Sequence, residues 1–394
     1  MKTIKLGDLC YPCESQVSED PDTLIDYVDI SSVDNQNKQI TGYQTIKFGE
    51  APSRARKYLN KGNILVSTVR PNLNAVALFE ESTPNISVAS TGFCVLNCKP
   101  STDKGFLFHY CKSKSFINAM VSQATGASYP AVSDKIVRAA MVPAYTYEEQ
   151  CRIRTVLDLV SSIIVKQKKE LEQLDCLIKA RFVEIFGDAV TNPMKWPVKK
   201  LKDLAVQINS GNTPKGGSEN YVDKGITFFR SQNVWKDRLE MNDIAYIDPA
   251  THASMSRSSL KHGDILMTKT GRINTENSSL GRAAIYTGED DKANVNGHVY
   301  FIRLKPEVNN KFVLRILVSS EYRNLIRRVC VGGIDKRQLN KEHIEDFPII
   351  CPPSDMVDKY VAFVEQIDKS KVAVQKSLEE TQLLFDKLMQ EYFG

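Results

Sequence analysis

One stretch of about forty residues occurs twice, and it constrains the fold more than anything else in the chain. In residues 148–187, EEQCRIRTVLDLVSSIIVKQKKELEQLDCLIKARFVEIFG, the positions Leu157, Val160, Ile164, Gln167, Leu171, Leu174, Ile178, Arg181 and Ile185 fall three and four apart. Moving 207 positions along gives Val364, Ile367, Lys371, Val374, Leu378, Thr381, Phe385, Leu388 and Tyr392. Alternation of three and four is the seam of a coiled coil, and both stretches close on Phe-Gly, at Phe186-Gly187 and Phe393-Gly394. The apolar members of each set are the expected helix-pairing residues. The polar members fall at different layers, Gln167 matching Val374, Lys371 matching Ile164 and Arg181 matching Leu388, which suits two unequal partners. Each helix would span roughly 58 Å at about 1.5 Å per residue, and its apolar stripe needs a cover. The other copy is the simplest cover. A long helix packed on its own domain is the alternative, and the matched register across 207 residues argues against it.

The segments between the helices repeat as well. Ile4-Lys5-Leu6-Gly7-Asp8-Leu9 is echoed by Lys199-Lys200-Leu201-Lys202-Asp203-Leu204, and Lys61-Gly62-Asn63-Ile64-Leu65 by His262-Gly263-Asp264-Ile265-Leu266. Lys112 to Phe116 corresponds to Val318 to Tyr322, and Gly126 to Gly332. The offset drifts from 195 through 201 and 206 to 207, as expected of a duplicated half whose loops changed length. The organisation expected is a globular domain over 1–146, a long helix over 147–187, a proline-bearing linker over 188–197, a second globular domain over 198–355 and a second long helix over 356–394. Strand-like runs in the first domain are LIDYVDI (24–30), NILVSTV (63–69), AVALF (75–79) and GFCVL (92–96), with a helical pattern from Phe106 to Val121 and a turn at Thr125-Gly126.

With 394 residues the chain has room for two globular domains and extended helices. It has no apolar run of about 18 residues and no long apolar leader, so a cytoplasmic location is the expectation. Nine cysteines, mostly embedded in apolar runs, read as reduced thiols. Cys10, Cys13, Cys94 and Cys98 are the residue types of a zinc site, but GFCVLNC is strand-like and its thiols are expected to pack as small hydrophobes.

No catalytic constellation stands out. The histidines at 109, 252, 262, 298 and 343 are scattered, and Gly211-Asn-Thr-Pro-Lys-Gly216-Gly217-Ser218 has glycine where a phosphate-binding loop needs lysine. There is no dinucleotide fingerprint and no Asn-Pro-Pro-aromatic element. Glu289-Asp290-Asp291-Lys292 reads as a solvated turn.

The polar loops, by contrast, carry groups that read nucleic acid. Arginine presents a planar fork for guanine O6 and N7, asparagine and glutamine match the adenine N6/N7 edge, and lysine suits phosphate. In the first half these are Arg54, Arg56, Lys57, Arg70, Asn72 and Asn74; in the second, Arg230, Gln232, Asn233, Lys269, Arg272, Asn274 and Arg282. A net charge of +5 is mild for a nucleic-acid binder, so their clustering carries the reading. Any one of them, taken singly, is more readily a solvated surface group, and it is as clusters flanking strand ends that they point to nucleic acid.

On these residues the chain resembles the specificity subunits of type I restriction–modification systems over essentially its whole length. The matching stretches are APSRAR (51–56), STVRPNL (67–73) and STGF (90–93), then SGNTPKG (210–216), LKHGDILMTKTG (260–271), Pro352-Pro353, FVEQIDKSK (363–371) and LMQEYFG (388–394). The resemblance implies an α+β protein with two globular α/β target-recognition domains, each followed by a long helix. It implies that the helices pair as an antiparallel coiled coil with internal pseudo-two-fold symmetry and set the gap between two half-sites. The chain would be a non-catalytic subunit that reads a split, asymmetric double-stranded DNA target and docks two methyltransferase (M) subunits, joined by restriction/motor (R) subunits. S-adenosylmethionine, ATP and magnesium are implied for those partners, and no cofactor, metal or membrane for this chain. A self-contained DNA modification enzyme and a coiled-coil adaptor without DNA binding are the readings from other classes. Binding of S-adenosylmethionine by the chain alone would mark the first, and absence of salt-dependent DNA binding the second.

Overall fold

A computed structural model describes residues 2–12, 16–214, 216–273, 275, 277–333 and 336–394. Cys13, Lys215 and Asn274 lie outside the described residues. The chain divides into two compact units, Met1–Leu171 with Val372–Gly394, and Glu172–Lys371. Both boundaries fall inside a long helix, so each unit consists of a globular part and a portion of each helix.

Two helices of 40 residues, Tyr147–Phe186 and Ser354–Phe393, are the longest elements. The first begins at a capping box: Thr146 Oγ1 accepts the N–H of Glu149 at 3.3 Å, and the Glu149 carboxylate accepts the N–H of Thr146 at 2.7 Å. The second begins after Pro352-Pro353. The repeated Phe-Gly stops both, because Gly187 (φ 73°) and Gly394 (φ 87°) adopt the left-handed conformation and return their N–H groups to Val183 and Gln390.

Within each unit the helix portions run antiparallel. In the first unit Gln167 donates to Ser377 Oγ at 2.8 Å, and Tyr145, just before the first helix, donates to the carbonyl of Tyr392. In the second, Lys371 pairs with Asp175 at 2.6 Å and Tyr360 donates to the carbonyl of Ile178. Leu157, Val160, Ile164, Ile178 and Val364 are buried, while Leu171, Leu174, Ile367, Val374, Leu378, Phe385 and Leu388 are half-buried, as expected where two helices cover each other on one side only. The expected seam is displaced near its end. Arg181 turns outward to Glu184 at 2.8 Å, and Phe182 and Phe186 take the inner positions against Phe312. There the helix packs on a globular core as well as on its partner, which draws the apolar face round by one residue.

The first globular part holds a mixed sheet in the order Gln44–Lys47, Leu24–Val28, Ile86–Ser90, Ala55–Tyr58, with one parallel pairing between the two middle strands. Beside it Ile64–Ser67 lies between Phe93–Leu96 and Val76–Leu78. The second globular part repeats the plan. Ile226–Phe229 is parallel to Ala293–Val295, and Ile265–Thr268 lies between Val299–Leu304 and Ala283–Ile285. The register repeats too, since Thr3 faces Pro143 and Val198 faces Ile350, the same partners displaced by 195 and 207 residues. The single helical pattern expected over Phe106 to Val121 is two helices, Lys104–Cys111 and Lys114–Gln123. Ser113 divides them, its hydroxyl accepting the N–H of Phe116 at 3.1 Å, and Ser319 does the same for Tyr322 in the second unit. The fold is α+β. Among the described residues no helix is long and apolar enough to cross a membrane.

Candidate nucleic-acid interface

In each unit the most deeply buried strand delivers its polar exit to the surface. Ile64–Ser67 is buried along its whole length, which suits β-branched and aliphatic residues flanked by strands on both sides. Beyond it the backbone is clamped: Thr68 N–H donates to Gly92 at 2.8 Å, Val132 N–H to Thr68 at 2.9 Å, and Arg70 N–H to Pro130 at 2.7 Å. The strand exit and the loop 124–132 are thereby joined. Arg70, in the left-handed conformation at φ 48°, places its guanidinium 4.6 Å from the ring centre of Tyr129, which is 68% exposed. Asn72 is exposed beside it. A bond from Thr91 N–H to the carbonyl of Arg54, 2.7 Å, brings the exposed Arg54 turn to the same edge. Arg56 is half-buried, 5.1 Å from the Phe48 ring.

The second unit builds the equivalent edge with other side chains. Ile265–Thr268 is likewise fully buried, and Thr270–Gly271 pairs with Arg337–Gln338 of the return loop, itself paired with Val331–Gly332. An open cavity of about 490 Å³ lies against this edge, lined by Arg272, Lys336 and the hydroxyls of Thr270, Thr275, Ser278 and Ser279. Among the described residues its charged lining is cationic, which suits a polyanion. Lys269 is half-buried, 5.7 Å from the Tyr300 ring.

Five candidates are instead engaged within the fold. Lys57 pairs with Asp134 at 2.5 Å and donates to the carbonyl of Phe93. Asn74 is 7% exposed and its amide donates to Cys111. Arg230 pairs with Asp243, whose carboxylate also accepts from the exposed Gln232 at 2.8 Å. Asn233 is fully buried, holding the N–H of Arg230 and the carbonyl of Glu240. Arg282 is buried with its guanidinium 3.8 Å from the Trp235 ring, donating to the carbonyls of Ser278 and Asn277, and burial pushes its pKa down. These five order the loops instead of presenting donors to a ligand, since an amide or guanidinium engaged this way has few groups left to offer.

Tyr129 and Lys336 were not among the residues singled out from the sequence, although the signal was there. The echoed glycines Gly126 (φ 102°) and Gly332 (φ 125°) support these two loop positions: a Cβ on either would come within 2.9 Å of the Tyr129 carbonyl oxygen or 2.6 Å of the Lys336 one. Cys94 is fully buried and Cys98 lies opposite Cys10 across an antiparallel bridge. Among the described residues no group of three or more His, Cys, Asp or Glu is placed to hold a metal.

A duplicated scaffold that carries different basic and aromatic groups at matching edges has the chemistry of two related surfaces for unlike polyanionic ligands. Residues 193–382 match the type I restriction modification DNA specificity domain. The type I restriction enzyme MjaIX specificity subunit of Methanocaldococcus jannaschii is 23% identical over 351 residues, covering 84% of this chain and 76% of that one. A solved chain of a type I restriction–modification system superposes with a TM-score of 0.61 at 22% identity, over 100% of this chain and 97% of its own. The S subunit from M. genitalium superposes with a TM-score of 0.58 at 14% identity, over 100% and 96%. Residues 193–382 thus carry a type I restriction modification DNA specificity domain, and the chain as a whole is similar in sequence and fold to specificity subunits of such systems.

Proposed function

We propose that this chain gives a type I complex its DNA sequence specificity by reading a split, asymmetric double-stranded target, one half with each globular part. The observation that carries this is the pair of matching edges with unlike side chains, Arg70 with Tyr129 in one unit and Arg272 with Lys336 in the other. Two readers built on one plan but chemically different suit two unlike half-sites. The methylation, translocation and cutting chemistry then belongs to the methyltransferase and motor subunits, with S-adenosylmethionine, ATP and magnesium.

Docking of the methyltransferase is assigned to the outer faces of the long helices. On the first, Val156, Leu159 and Ile163 recur three and four residues apart and are 38%, 61% and 37% exposed. An apolar stripe left open on a helix marks a contact surface. Co-expression with a methyltransferase subunit in a methylation-free host, followed by single-molecule mapping of modified adenines, tests the reading. A bipartite motif with one modified adenine in each half is the expected result. A complex that assembles but modifies no site, with a partner of demonstrated activity, contradicts it.

A further inference from the structure

We propose that Arg70, stacked on Tyr129, is the guanine-reading group of the first globular part, with Tyr129 as the residue that positions it. This rests on the DNA-reading function above and names two residues and one base for it. Among the described residues no carboxylate pairs with Arg70, whereas Lys57 on the same edge is held by Asp134 and Arg56 donates to the carbonyl of Ala55. The guanidinium carbon lies over the Tyr129 ring, 4.6 Å from its centre, and a guanidinium stacked on a ring keeps its in-plane N–H donors for a ligand. Two such donors side by side match O6 and N7 of guanine in the major groove.

The backbone under this stack is unusually constrained. Arg70 stands in the left-handed region, which non-glycine residues seldom occupy, its N–H is held by the carbonyl of Pro130, and Pro71 follows it. Gly126 accommodates the Tyr129 carbonyl from the other side. Both partners of the stack are therefore delivered by clamped backbone while their side chains remain at the surface. A long flexible arginine is thus oriented before DNA arrives, which is what a base reader needs and a general phosphate contact does not. At the equivalent loop position in the second unit stands Lys336, which presents a point charge and no ring. The second unit must read its half-site by other means.

The test uses the full chain assembled with its methyltransferase subunits and a library of duplexes randomised over the target. The variants are Arg70→Lys, Tyr129→Ala and Tyr129→Phe. Arg70→Lys keeps the charge but lacks the fork, and is expected to relax preference at one guanine position by about ten- to a hundredfold while leaving the other half-site unchanged. Tyr129→Ala should relax the same position, and Tyr129→Phe should retain it, since the ring and not the hydroxyl makes the stack. Tyr129 is 68% exposed, so its removal should leave the melting temperature unchanged, which separates lost reading from lost folding. Uniform weakening across all sequences by Arg70→Lys would reduce Arg70 to a phosphate contact and overturn the proposal. A wild-type complex with no sequence preference would instead overturn the DNA-reading function itself.

Discussion

The phenol hydroxyl of Tyr322 donates to the carbonyl of Pro348 at 3.0 Å. In the first unit the equivalent carbonyl, Met141, receives the same bond at 2.9 Å, but from Tyr110. The position matching Tyr322 there is Phe116, buried beside Tyr110 with ring centres 5.4 Å apart. The two halves thus keep one part-buried hydrogen bond while supplying it from different helices. Tyr322→Phe removes this part-buried hydrogen bond and should cost about 0.5–1.5 kcal/mol. Tyr110→Phe should cost the same, and adding Phe116→Tyr to it should recover most of the loss, as read from urea midpoints.

Phe393 is next to last in the sequence, yet it is 4% exposed and packs on Phe106 at 5.3 Å and Tyr110 at 5.8 Å in the first unit. Phe186 makes the corresponding contact with Phe312 at 5.0 Å in the second. Each long helix therefore ends in the core of a unit other than the one in which it began. Phe393→Ala should cost about 3–5 kcal/mol and raise amide exchange over residues 1–171. Phe186→Ala should do so over residues 172–371, and exchange that rises in the opposite unit would refute the assignment.

His109 is 1% exposed and meets Asp158 of the first long helix at 2.7 Å. Burial holds its pKa below the ordinary 6.5, outweighing the opposing pull of Asp158. The folded chain then resists a proton that the unfolded chain accepts, so this residue's contribution falls as pH drops below 6.5. Replacement by Gln, which can still donate to Asp158, should flatten that part of the profile. Equal slopes for the wild type and the variant in urea titrations between pH 7 and 5 would rule it out.

Arg272 and Arg282 stand ten positions apart and should respond oppositely. Arg272 is exposed at the edge of the cavity, so Arg272→Ala should leave stability unchanged and reduce the salt dependence of DNA binding by about one phosphate contact or relax one base position. Arg282→Ala removes the buried donor of the 277–282 loop and uncovers Trp235, and should lower the melting temperature before it alters selectivity. Equilibrium melting beside salt-dependent binding separates the two.

Much of the framework was legible in the sequence because its signals are local. The three-and-four spacing of Leu157, Val160 and Ile164 needs no partner to be seen, and the Phe-Gly stops state a left-handed cap in the chain itself. The candidate site was legible as residue types only. Arg70 and Arg272 do reach the surface edges, but Asn74, Asn233 and Arg282 have the same donors and are turned inward, because the fold brings carbonyls within reach of them.

Repetition, helix length and the Phe-Gly stops were thus determined by the sequence itself, since periodicity and cap chemistry act over a few residues, while the α+β class came with the family resemblance. Tertiary structure alone decided that Tyr129 lies under Arg70, that Arg181 yields its inner position to Phe182, and that Phe393 completes the core of the first unit. The reason is physical: a side chain's fate depends on which donors, acceptors and rings the fold places within a few ångströms of it, and those neighbours come from distant parts of the chain.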